Sequence, residues 1–201
     1  LLFSKPRIFY EQADDGYYVR FYVYGLTNMT TATIPDTYQG EKVVGLRGNT
    51  FSNMPFLTEV TLPDSITEIR GQAFKNCRSL ESVTLPEHLT YLGGEAFYHC
   101  SSLQEVNLPA GLTEIRGNTF EECSSLLRIE IPDNMTRIGG HAFYGNTSLE
   151  VVISPDSKLQ QIGSSAFRCC DSLREITLPR GVSVNERAFK ETPVRIDYYE
   201  Y

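Results

Sequence analysis

No run of about 18 consecutive apolar residues occurs anywhere in the 201-residue chain, so no segment reads as a membrane-spanning helix. Positive charge is also in short supply: 18 Lys and Arg stand against 25 Asp and Glu, a net charge of -7. Without a basic field nothing general attracts a phosphate backbone or an anionic lipid surface, which argues against nucleic acid and membrane partners. Histidine is scarce. His88, His99 and His141 are the whole set, and no HExxH pattern or Ser/His/Asp order is present. The five cysteines contain no CxxC pair. The paired glycines Gly93-Gly94 and Gly139-Gly140 lead into no GxGxxG or GKS/T motif and read as turn glycines. These absences leave no metal, no cofactor and no enzyme activity to expect. The first residue is Leu1 rather than Met, which points to a processed or trimmed chain whose export signal, if there was one, is no longer visible.

What the chain has is a repeat. Segments beginning at Leu57, Leu80, Leu103, Leu126, Leu149 and Leu173 each carry an apolar residue three positions on and reach a proline six positions on, at Pro63, Pro86, Pro109, Pro132, Pro155 and Pro179. A second series, Ile69, Leu92, Ile115, Ile138, Ile162 and Val184, stands five residues before Phe74, Phe97, Phe120, Phe143, Phe167 and Phe189. Phe51 begins the phenylalanine series, with Ile34-Pro35 as its longer first unit, so about seven turns of roughly 23 residues are expected. Units this short cannot bury their own apolar faces, so they must stack, and equivalent residues then form rows along a solenoid.

Leu57 to Leu62 alternates with the period of a strand, with Val60 and Leu62 on one face and Glu59 and Thr61 on the other. Proline ends each strand because it has no N–H to donate. A glycine two residues after the second-series aliphatic, at Gly48, Gly71, Gly94, Gly117 and Gly140, is expected to serve a tight turn through its relaxed dihedral limits. Residues 1–33 lack the repeat. There Tyr17 to Tyr24 alternates densely, Gly25 breaks the run and Thr30 to Ile34 resumes it, which predicts a β-hairpin capping one end of the core. Residues 34–192 are the solenoid, and residues 193–201 are a tail or a truncated final strand.

The unit LxxVxLPxxIxxIxxxAFxxCxx, followed closely by Leu80 to Cys100 and Leu103 to Cys123, resembles the BspA-like, or Treponema pallidum-type, leucine-rich repeats found in surface proteins of bacteria and some protozoa. The resemblance covers residues 34–192. It implies a mainly-β leucine-rich-repeat solenoid with parallel strands, in an extracellular or cell-surface protein. It also implies a non-catalytic role in protein binding or adhesion, with a protein or glycoprotein ligand such as host matrix or another cell surface. A structural spacer within a larger surface protein is the alternative.

The residues that could carry chemistry each have a plainer reading. Cys77, Cys100 and Cys123 fall one per turn, where a rung spacing of about 4.8 Å exceeds the usual disulfide Cβ separation of about 3.8 Å. They read as buried free thiols making weak hydrogen bonds to the turn backbone, with Asn146 in the same row and Cys169 as a partly exposed thiol. The histidines read as surface residues. Glu59, Glu105 and Glu175 share one strand position in a solvated outer row rather than forming a buried acid pair. Asn28, Asn134 and Asn146 begin N-x-S/T triplets, which are expected by accident in a polar chain. One strand breaks the outer pattern: Val151 and Ile153 take positions that are polar or charged in the other turns, while Ser154 takes an inward one. Either a local register slip turns Ile153 inward, or Val151 and Ile153, bordered by Arg128, Glu130 and Glu175, form a small apolar spot that anchors a partner or a second copy.

Overall fold

The computed structural model describes residues 8–21 and 29–200. The repeat folds into a β-solenoid with three sides. Eight front strands lie in succession: Thr31–Thr33, Glu59–Thr61, Ser82–Val83, Glu105–Val106, Arg128–Ile131, Glu150–Ile153, Glu175–Leu178 and Arg195–Tyr198. Every hydrogen-bonded pair among them is parallel. Seven back strands run from Glu41–Leu46 to Ser183–Val184, also in parallel. The solenoid therefore has about eight turns rather than seven, because the tail forms a last front strand in register with Glu175–Leu178.

Proline does more than stop each front strand. The Pro63, Pro86, Pro109 and Pro132 carbonyls each accept a hydrogen bond from the N–H three residues on, closing the turn that leads to the back strand. On the third side a second kind of ladder runs between turns: the N–H groups of Gln72, Phe74 and Asn76 donate to the carbonyls of Gly94, Ala96 and Tyr98 in the following turn. The residues two before and two after each phenylalanine in this ladder adopt the left-handed conformation, as at Asn49 and Asn53, Gln72 and Asn76, and Asn118 and Glu122. Asparagine tolerates that region better than most side chains, which accounts for its recurrence there.

The glycines of the repeat serve a different purpose from the one expected. Gly48, Gly71, Gly94, Gly117 and Gly140 are absent from the positive-φ residues. They favour close stacking: a Cβ on Gly71 would stand 3.0 Å from the Gly94 carbonyl oxygen, and one on Gly94 would stand 3.0 Å from that of Gly117, while the next position of the row is taken by the small Ser164.

The core is the set of stacked rows. Phe51, Phe74, Phe97, Phe120, Phe143 and Phe167 are fully buried. Their rings, with Phe189, form one continuous stack with centroids 5.0 to 5.4 Å apart and planes within 9° of parallel. Rung spacing sets the repeat and a slight offset relieves face-to-face repulsion.

The hairpin at the first end has different partners from those expected. It joins Ile8–Ala13 to Gly16–Phe21 across Asp14 and Asp15, and its second strand pairs in parallel with Glu41–Leu46 of the back sheet. Thr31–Thr33 belongs to the front sheet and pairs with Glu59–Thr61, while residues 22–28, including the expected turn glycine Gly25, lie outside the described residues. Tyr17 and Val19 close the core at this end, with the Tyr38 ring stacked on Tyr10 and edge-on to Tyr17.

Candidate functional site

The outward positions of the front strands form two columns along the solenoid. Strand pairing and the repeat align Thr31, Glu59, Ser82, Glu105, Arg128, Glu150, Glu175 and Arg195 in the first. The second contains Thr33, Thr61, Thr84, Asn107, Glu130, Val152, Thr177 and Asp197. Four shallow cavities of about 510, 580, 680 and 350 Å³ lie along this face and share lining residues, so they run together into one groove from Glu59 to Glu175. Thr84 and Asn107 line the first two, Glu130 joins the second to the third, and Val152 joins the third to the fourth.

Asn107 shows how the groove opens. Strands Ser82–Val83 and Glu105–Val106 pair over only two residues. Beyond them the Asn107 side-chain amide folds back, accepting from the Leu85 N–H at 2.8 Å and donating to the Leu85 carbonyl at 2.9 Å. The amide takes the place of a neighbouring strand for Leu85, whose backbone N–H and carbonyl both stay paired as the chains part.

The strand that broke the outer pattern has slipped by one residue. Ile129 pairs with Val151 and Ile131 with Ile153. Val151 and Ile153 are thus core residues, 9% and 3% exposed, and neither is available to a partner. Val152 faces outward instead, 37% exposed. The slip buries two β-branched side chains and releases Ser154, whose hydroxyl donates to Asp133 and accepts from the Asp156 N–H. Alternation within the segment carried that signal, because the slip puts Val151 and Ile153 on one face and Ser154 off the core row. Arg128, Glu130 and Glu175 are exposed on the front face as expected, with Arg128 paired to Glu130 at 3.0 Å and Arg195 to both Glu175 and Asp197.

Several back-strand side chains pair with one another. Tyr91 lies between the guanidinium groups of Arg70 and Arg116. Arg70 is itself held by Glu68, and Glu114 holds both Arg116 and Arg137.

The thiols are structural. The Cys77, Cys100, Cys123 and Cys170 Sγ–H groups donate to the carbonyls of Phe51, Phe74, Phe97 and Phe143 in the preceding turn. Burial pushes Cys77 and Cys170 up to about 12 and raises Cys100 and Cys123 as well, so the nucleophilic thiolate is suppressed. Cys169 is half-buried, and its thiol is also raised, first by desolvation and then by its hydrogen bond to Glu191. His99 and His141 occupy left-handed turn positions, and His88 lies exposed at the rim of the first cavity. Among the described residues no three His, Cys, Asp or Glu side chains converge as metal ligands would.

The family model for the BspA type leucine-rich repeat region matches residues 18–150 and 108–196, in six copies. Two bacterial structures are each 27% identical to the chain. A leucine-rich repeat protein from Bacteroides ovatus superposes with a TM-score of 0.85 over 100% of this chain and 53% of its own. A leucine-rich repeat protein of T. pallidum gives 0.80 over 88% and 82%. A third, from Eubacterium ventriosum, gives 0.73 over 96% and 51%, and at 19% identity bears on fold alone. The chain thus spans about half the length of the B. ovatus protein. No curated protein matches it in sequence.

Proposed function

Because the chain belongs to the BspA-type leucine-rich-repeat family, a family of non-catalytic repeat scaffolds, we propose that it is the binding module of a cell-surface or secreted protein and docks a protein or glycoprotein on its front face. The observation that carries this reading is the continuous groove along the front strands. Solenoids use such extended surfaces for recognition. Within the groove the contact residues are Arg128, Glu130 and Glu175, with Val152 supplying the apolar contact in place of Val151 and Ile153. A host matrix glycoprotein or cell surface is the class of partner this reading favours.

The test is capture of the purified protein on matrix glycoproteins and host cells. Replacing Arg128, Glu130, Val152 and Glu175 together by Ala should abolish capture while leaving thermal unfolding unchanged. If no surface substitution alters any interaction, the chain is a spacer and the reading fails.

A further inference from the structure

The front groove carries an ordered pattern of charge. Its first column places Glu59, Glu105 and Glu150 on alternate rungs, with Ser82 and Arg128 between them. Each of the three lines a different cavity of the groove. None makes an ion pair or a side-chain hydrogen bond among the described residues, whereas both arginines of the column are neutralised by neighbours, Arg128 by Glu130 and Arg195 by Glu175 and Asp197. Three carboxylates without an ion-pair partner among the described residues thus point out of an unpartnered sheet face.

Their spacing excludes one kind of ligand and selects another. Alternate rungs are about 9.6 Å apart, too far for carboxylates to converge on a divalent cation, whose oxygen ligands lie within about 2.6 Å. Three residues of a polyproline II chain rise about 9.3 Å and, at three residues per turn, return to the same face. We propose that the groove binds a basic polypeptide segment in the extended polyproline II conformation, laid along the solenoid axis with lysine or arginine at every third position opposite Glu59, Glu105 and Glu150. Thr61 and Thr84 in the second column supply hydroxyls for its backbone. The proposal rests on the front face being the docking surface and adds the chemistry of the partner.

Two serine–lysine peptides of equal length and charge test it by fluorescence anisotropy, one with lysine at every third position and the other with its lysines in one block. The unaltered protein should bind the spaced peptide more tightly, and raising the salt should weaken binding. Glu59→Gln/Glu105→Gln/Glu150→Gln should weaken the spaced peptide about tenfold. Asp14→Asn/Asp171→Asn/Glu186→Gln, which removes the same charge elsewhere on the surface, should leave binding unchanged. The peptide preference of the unaltered protein needs no variant and stands even if one misfolds. Equal binding of both peptides, equal loss in the two triple variants, or no binding at all would overturn the proposal. If it fails while the Arg128, Glu130, Val152 and Glu175 variant still loses matrix capture, the docking face survives and only the basic partner is rejected.

Discussion

Asn146 is the one member of the thiol row whose side chain does not hydrogen-bond the preceding turn. It is fully buried, and neither its Oδ1 nor its Nδ2 has a partner. At the equivalent position a cysteine donates to the carbonyl of the phenylalanine one turn back, as Cys123 does to Phe97. Asn146→Cys would restore that bond, now missing to Phe120, and remove two unsatisfied polar atoms. Urea denaturation should show a gain of about 1–3 kcal/mol, and a loss would mean that the amide has a role the geometry does not show. The four buried thiols also set an alkaline limit. Their folded pKa values lie above the ordinary value of 9.0. Above that pH the unfolded chain releases thiol protons that the folded chain retains, so stability present below pH 9 should fall as pH rises toward 12. Each thiol contributes a slope of about 1.4 kcal/mol per pH unit in that window. Replacing Cys77 and Cys100 by Ala should flatten the decline, and an unchanged pH profile would contradict the burial argument.

At the scale of the element, the strand Glu150–Ile153 shows what the sequence could tell and where it stopped. Counting from Leu149 puts Val152 inward, because every other unit keeps its first inward strand residue three positions after the leucine. Side chains alternate with a period of two, so a one-residue slip exchanges the faces. The alternatives were visible in Val151, Ile153 and Ser154, but choosing between them required the pairing with Ile129 and Ile131. Thermal and urea denaturation can check the outcome: Val151→Thr/Ile153→Thr should cost about 2–5 kcal/mol by burying hydroxyls in the core, while Val152→Thr should stay within about 0.5 kcal/mol. The hairpin was less legible. Residues 17–24 are rich in strand formers, but partners are chosen by long-range packing, and here Gly16–Phe21 pairs on both sides, with Ile8–Ala13 and Glu41–Leu46. The repeat glycines were legible as constrained positions and misread as to cause, since a requirement for backbone contact leaves the same mark in a sequence as one for positive φ. The outer rows were legible from alternation; the groove was not, because it follows from how far neighbouring front strands pair before they part, as where the Asn107 amide takes over the Leu85 backbone.

Across the whole molecule, each turn touches chiefly its neighbours, so stability is close to a sum of turn and interface contributions. The two ends differ. At the first, the hairpin seals the core with Tyr17 and Val19. At the other, Val184, Phe189, Val194 and Ile196 are only partly buried against the preceding turns. Amide hydrogen exchange should therefore be fastest in the strands Ser183–Val184 and Arg195–Tyr198, slower through the hairpin, and slowest in the turns around Phe97 and Phe120. The phenylalanine stack should respond in the same order. Phe120 is fully buried between Phe97 and Phe143, so Phe120→Ala should cost about 3–5 kcal/mol with its cavity. Because that site couples the two halves, loss of exchange protection should spread to both. Phe189 contacts one ring of the row, Phe167, and is only partly buried. Phe189→Ala should cost about 1–2 kcal/mol, since the residue has less burial to lose, and should leave the front strands from Glu59 to Ile153 protected. If the two variants lost equal stability and equal protection, the solenoid would unfold as a single all-or-none unit, and the front groove could not be held by its central turns independently of its ends.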